Sequence, residues 1–161
     1  MLYKSKFFEQ LNTVELYEIL RARVNVFVVE QTCPYPELDG IDYDSLHVYY
    51  ESEGKVLAYL RAFYKEPGVV QMGRVLTVER GTGLGGKLLK EGIREIKEKL
   101  APQKIYIEAQ TYAIGFYERE GFIQCSGEFL EDGIPHVFLA VSGEDGLYCR
   151  LLYRSRRKKR G

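Results

Sequence analysis

Arg80-Gly81-Thr82-Gly83-Leu84-Gly85-Gly86 is the stretch on which the reading of this chain turns. Before it runs Val69–Val78, rich in β-branched residues, and after it Leu84, Leu88, Leu89, Ile93, Ile96 and Leu100 recur at helical spacing until Pro102. The glycines therefore fall between a strand and a helix. Glycine permits positive φ and close approach of backbone to a ligand. A helix N-terminus adds free N–H groups and partial positive charge, so the junction suits a phosphate or diphosphate. Three phosphate patterns compete for it. A P-loop would need a hydroxyl at position 88, where Leu88 stands. The dinucleotide spacing G-x-G-x-x-G is met by Gly81, Gly83 and Gly86, but it follows a meander and not the first parallel strand. The pattern R-x-x-G-x-G/A is met by Arg80, Gly83 and Gly85. On the loop alone, a ligand-free turn opening a helix stays equally open.

Working outward, Lys6–Leu11 reads as a short strand. Asn12 and Glu15 have capping-box spacing ahead of a helix marked by Leu16, Ile19, Leu20, Val24, Phe27 and Val28. Cys33–Ser45 contains Pro34, Pro36, Gly40 and the acids Glu37, Asp39, Asp42 and Asp44, and reads as a loop that is either solvated or able to draw in a cation. Leu46–Tyr50, Val56–Tyr64 and Val69–Val78 form an antiparallel meander. Beyond the second helix come a strand at Lys104–Gln110, a short helix at Ala113–Glu120 stopped by Gly121, and strands at Phe122–Leu130 and Pro135–Val141. Glu131-Asp132-Gly133 joins the last two as a hairpin. The order β-α-β-β-β-α-β-α-β-β is that of an α+β sheet domain.

The chain has 161 residues, 45% hydrophobic and 29% charged, values of a globular chain of about one domain. No apolar run approaches the roughly 20 residues of a membrane helix, and the N-terminus lacks a secretory pattern. Cys33, Cys125 and Cys149 lack metal-ligand spacing and read as reduced thiols of a cytoplasmic protein. Residues 150–161 carry seven Lys or Arg and no acid, leaving 16 bases against 23 acids, a net of −7, on the rest. We divide the chain into a domain at 1–141 and a basic extension at 142–161. Nucleic acid is expected only through that tail.

The chain resembles the GNAT N-acetyltransferases, in particular the ElaA-like branch, over roughly residues 3–141. The resemblance rests on Leu20-Arg21-Ala22-Arg23, Val26-Phe27-Val28-Val29-Glu30-Gln31, Cys33-Pro34-Tyr35, His47, Gly73-Arg74-Val75, the Arg80–Gly85 loop, Ala109-Gln110, Phe116-Tyr117, Gly121-Phe122 and Glu131-Asp132-Gly133-Ile134-Pro135-His136. It implies the acyl-CoA N-acyltransferase fold, a mostly antiparallel mixed sheet flanked by helices. It also implies acetyl-CoA as cosubstrate, an amine acceptor and no metal. Only Glu79 separates Val78 from Arg80, a shorter turn than in many members.

By the same resemblance, Arg80, Gly81, Thr82, Gly83, Leu84, Gly85 and Gly86 hold the diphosphate. Leu76, Thr77 and Val78 pair with the pantetheine arm as an added strand, and the Leu76 backbone amide polarises the thioester. Tyr117 protonates the leaving sulfur; a tyrosine with a pKa near 10 can donate at neutral pH. Glu30, Cys33, Tyr35, His47, Arg74, Gln110 and His136 are the candidates for the acceptor side. The base is open between His47, His136 and a water relayed by Glu30 or another acid. A non-catalytic acyl-CoA-binding module is the alternative function. Pairing with a second copy through a C-terminal strand edge stays open.

Overall fold

The computed structural model describes residues 1–142; the basic run at 150–161, to which nucleic-acid binding was assigned, lies outside them. One mixed sheet organises the chain. Its strands are β1 (Leu2–Phe7), β2 (Leu46–Ser52), β3 (Lys55–Glu66), β4 (Val69–Thr77), β5 (Lys104–Gln110), β6 (Ile123–Gln124), β7 (Phe129–Glu131) and β8 (Ile134–Ser142). They lie in the order β1-β2-β3-β4-β5-β8-β6, with β7 also on β8. Every pairing is antiparallel except β4 with β5, where Val69–Met72 run beside Lys104–Ile107.

That parallel pair requires a crossover, and the amphipathic helix α2 (Leu84–Leu100) supplies it. Its buried residues Leu88, Leu89, Ile93 and Ile96 pack on Leu46, Val48, Leu60, Met72, Ile105, Ile107 and Leu139. The same face carries α3 (Ile114–Glu118). The opposite face is covered by α1 (Thr13–Arg23), whose Ile19 and Ala22 meet Tyr49, Tyr59 and Leu76. The expected capping box closes α1: Glu15 N–H donates to Asn12 Oδ1 at 2.8 Å, and Asn12 N–H to Glu15 Oε1 at 3.0 Å. The helix then widens into a π-helical turn at Val24–Glu30.

Two elements differ from the sequence reading. The first strand ends at Phe7, and Phe8–Gln10 is a 3₁₀ turn, because Leu2–Phe7 is the stretch in register with β2. The expected strand Phe122–Leu130 is two short pieces, β6 and β7. The hairpin is as read: Asp132 and Gly133 both take positive φ, +49° and +76°, as a two-residue turn of the primed kind requires. Cys33 is a buried free thiol; Cys149 lies outside the described residues.

Candidate active site

The sheet divides at its parallel pair. Pairing of β4 with β5 ends at Met72 and Ile107, so Gly73–Thr77 and Glu108–Gln110 run on without each other. A cleft of about 460 Å³ opens in this gap, walled by β4, β5, the π-helical turn, the loop after it and the β7–β8 hairpin.

A bulge bends β4 at the start of the gap. Gly73 faces Arg61 and Leu76 faces Tyr59, so Leu60 alone stands against Arg74 and Val75. Arg74 takes φ +52°, a conformation that costs a non-glycine residue on the order of 1 kcal/mol and persists where the surroundings impose it. Glu37 imposes it. Arg74 Nε donates to Glu37 Oε1 at 2.8 Å, Nη2 donates to Glu37 O at 3.1 Å, and the guanidinium lies over Tyr35 at 5.3 Å.

The register also fixes where the β4 amides point. Val78 N–H donates to Leu57 O at 2.9 Å, and groups two residues apart on a strand face the same edge. The peptide groups of Leu76 and Val78 therefore face β3, while those of Val75 and Thr77 face the open edge. This corrects the expectation for the Leu76 amide: the extra residue at the bulge shifts the alternation by one. Of the three residues expected to pair with the pantetheine arm, Thr77 alone turns its peptide groups toward the gap, and its carbonyl there is held by Arg80.

Past Thr77 the chain turns through Gly81 (φ +75°) and Gly83 (φ +76°) into α2. Gly83 occupies the cap position and brings no side chain to satisfy the first turn. Leu84 N–H donates to Thr82 Oγ1 at 3.3 Å and Lys87 N–H to Gly83 O at 3.3 Å. Among the described residues no acceptor meets the N–H groups of Gly85 and Gly86. The turn lies close to β4, since a Cβ on Gly85 would sit 3.4 Å from Thr77 Cγ2. Arg80 reaches back across it, donating to Thr77 O and pairing through Nη2 with Glu30 Oε2 at 2.8 Å. Both partners are more than half exposed, and Glu30 is not among the residues lining the cleft.

Tyr117 lines the cleft from α3. Its ring is buried between Phe116 and Phe122, with centroids at 5.0 and 5.7 Å. Burial pushes its hydroxyl pKa up, and no hydrogen bond engages that hydroxyl among the described residues. Cys33, Tyr35, Arg74, Gln110 and His136 also line the cleft. Cys33 Sγ lies 3.8 Å from Asp132 O. Gln110 Nε2 donates to Gln31 Oε1 at 3.2 Å, which brings in Gln31, a residue the sequence reading used only as part of a motif.

His47 is not in the cleft. It is fully buried on the sheet face that α1 covers, with Nδ1 2.6 Å from Tyr59 Oη and Nε2 3.0 Å from Asp42 O. Burial pushes its ring pKa down. Both nitrogens are engaged, so it has a packing role.

Three of the four acids of the loop, Glu37, Asp39 and Asp42, are held in ion pairs and are not free to attract a cation, while Asp44 stays exposed. Arg23, wholly buried, pairs with Glu37 at 2.7 Å and Asp42 at 2.6 Å. Arg61 pairs with Asp39 at 2.5 Å and Asp42 at 3.0 Å. Arg74 completes the set through Glu37. Three guanidiniums thus balance three carboxylates. Burial alone would raise the Asp39 carboxyl, but Arg61 and Arg74 overcome it and hold it at about 2. Among the described residues no cluster of His, Cys, Asp or Glu could hold a metal ion, and no helix is long and apolar enough to cross a membrane.

A gapped mixed sheet with a glycine-opened helix beside the gap is an architecture that comparison with known proteins identifies. The model of the GNAT acetyltransferase domain matches residues 15–142, and the chain belongs to that family. Within it the chain sits in the ElaA-like branch. It is 34% identical to the protein ElaA of Escherichia coli over 137 residues, 81% of this chain and 90% of that one. The crystal structure of E. coli ElaA superposes with a TM-score of 0.82 at 32% identity, covering 87% of this chain and 99% of that one. A Schizosaccharomyces pombe protein of the UPF0039 group is 41% identical over 136 residues, 82% of this chain and 91% of that one. An acyl-CoA N-acyltransferase from Pseudomonas aeruginosa superposes at 0.83 with 34% identity, covering 88% of this chain and all of that one. Membership supports acyl transfer as the class of chemistry.

Proposed function

We propose that the protein transfers an acetyl group from acetyl-CoA to a primary amine of a small molecule or peptide by direct attack, without an acyl-enzyme. The observation that carries this reading is the gap itself: an open β4 edge runs from a helix N-terminus with free amides into a cleft that holds a buried, protonated tyrosine. The N–H groups of Gly85 and Gly86 with Arg80 would hold the diphosphate. Arg80 would exchange its contacts with Glu30 and Thr77 for the phosphates. The Thr77 peptide would pair with the pantetheine arm. The open-edge amide of Val75, beside the bulge, takes over the polarising role expected of Leu76; such a donor is worth roughly 10²–10³ in rate. Tyr117 would protonate the departing sulfur.

The test is thermal unfolding with acetyl-CoA, coenzyme A, NAD or ATP. A ligand at 100 times its Kd stabilises by about 2.7 kcal/mol, or roughly 5–10 °C at this chain length. A shift with the two coenzyme A compounds alone supports the reading, to be followed by thiol release against a panel of primary amines. No shift at millimolar coenzyme A would overturn it, and a shift with NAD alone would return the glycine loop to the dinucleotide pattern.

A further inference from the structure

The proposed reaction needs an acid where the sulfur leaves and a base where the amine arrives, and the sheet separates these places. Tyr117 packs with Ile105, Ile107, Ala109 and Val137, on the α2 face. The alternate residues Tyr106 and Phe138 turn to the other face, and His136 and Glu108 share their parity. Both sets reach the one cleft, because the gap between β4 and β5 perforates the sheet there.

The His136 ring is held in one orientation. It stacks on Phe129 at 6.0 Å and 26°, and Nδ1 lies 2.7 Å from Ile134 O. A carbonyl oxygen only accepts, so Nδ1 carries the proton and, in the neutral ring, Nε2 holds a lone pair. Nε2 is 3.9 Å from Glu131 Oε2. The titratable groups around the ring are Glu131 on β7, Asp132 in the turn and Glu108 on β5, with Glu108 taking a hydrogen bond from Tyr106 Oη at 3.0 Å. Burial first, and then the neighbouring Glu108 carboxylate, push the Glu131 carboxyl up. An imidazolium formed at Nε2 would therefore face the Glu131 carboxyl, which holds a proton more readily than a free one, and Glu131 and Glu108 both line the cleft.

We infer that His136 is the catalytic base for the acceptor amine, acting through Nε2, with Glu131 and Glu108 as the exit for the proton. This rests on the acetyl-transfer reading. The ammonium gives one proton to Nε2, and the freed nitrogen pair forms the N–C bond to the thioester carbon. The C–S bond breaks with its electron pair on sulfur, which takes the Tyr117 hydroxyl proton. The second proton of the attacking nitrogen leaves to solvent, from which Tyr117 is reprotonated.

The first arm of the test needs no acceptor. The chain has two histidines, so ring ¹⁵N spectra of the full-length protein contain two spin systems, and His136→Gln assigns them. The inference requires the Nδ1–H tautomer for the neutral His136 ring; an Nε2–H tautomer overturns it. The second arm measures thiol release with acetyl-CoA and a panel of primary alkylamines. His136→Gln should lower kcat by about 10²–10⁴, leave the coenzyme A Kd and the unfolding midpoint unchanged, and abolish the acidic limb of the pH–rate profile. Glu131→Gln should shift that limb and lower kcat by less than His136→Gln does. Turnover by His136→Gln at the wild-type rate overturns the base role while the transfer reading stands. If the wild-type protein binds coenzyme A but acetylates none of the amines, the transfer reading falls and the base role with it.

Discussion

The balanced set of three arginines and three carboxylates can be unbalanced one charge at a time. In Arg23→Met the hydrocarbon stem is kept, but Glu37 and Asp42 lose bonds of 2.7 and 2.6 Å in a site with no solvent access to Arg23. Removing one partner of a buried pair costs about 3–5 kcal/mol. At this chain length that lowers the midpoint by roughly 6–20 °C. Glu37→Gln should cost a similar amount for the opposite reason, leaving Arg23 and Arg74 in excess. The double variant restores neutrality. Its cost should therefore stay near that of one single variant, about 3–5 kcal/mol, and not approach the sum. Urea unfolding of the four proteins measures the coupling. A double variant equal to the sum of the singles, within about 0.5 kcal/mol, would mean independent sites and refute the account of a shared buried network.

Tyr117→Phe should lower kcat by about 10²–10⁴ with coenzyme A affinity and stability unchanged, since the ring keeps its packing; steady-state kinetics and calorimetric binding check this, and unchanged turnover would leave a binding module. Glu15 is buried, yet hydrogen bonds from Tyr49 and the Asn12 backbone, with Lys6 and Lys4, hold its carboxyl at about 2 against the usual 4.5. Its folded value lies below its unfolded one, so its contribution of roughly 3 kcal/mol is present above about pH 4.5 and lost toward pH 2. Glu15→Gln should flatten that part of a urea-midpoint titration. Gly83→Ala meets no neighbouring atom but forces a side chain to φ +76°, so it should cost about 1–2 kcal/mol and weaken coenzyme A binding, both measurable by thermal shift.

Some of this was legible in the residues and some was not, for physical reasons. The α2 stripe, its proline stop and the glycine cap are local signals, as are the Asn12–Glu15 box and the Asp132-Gly133 turn, and these elements stand where they were read. The acidic loop was misread because its partners, Arg23, Arg61 and Arg74, come from three other elements, and composition alone cannot show a charge that is neutralised across the fold. The Leu76 amide role came from the resemblance, and a bulge that decides which amides face the open edge leaves no mark in the motif; the positive φ of Arg74 belongs to a residue that carries no turn signal. The two histidines look alike in sequence, each near a strand start. Register and packing separate them, one locked between Tyr59 and Asp42, the other set at the cleft beside Glu131.

The short parallel pairing has a mechanical consequence. Backbone bonds join β4 to β5 over only four residues of each strand, and beyond them the two halves of the sheet are spanned by side chains of α2 packed on Leu60, Met72, Ile107 and Leu139. The width of the aperture is therefore a property of the hydrophobic layer beneath it. Shaving Leu89 or Ile96 would remove a strut between the halves, altering how far they stand apart without touching any group that meets a ligand.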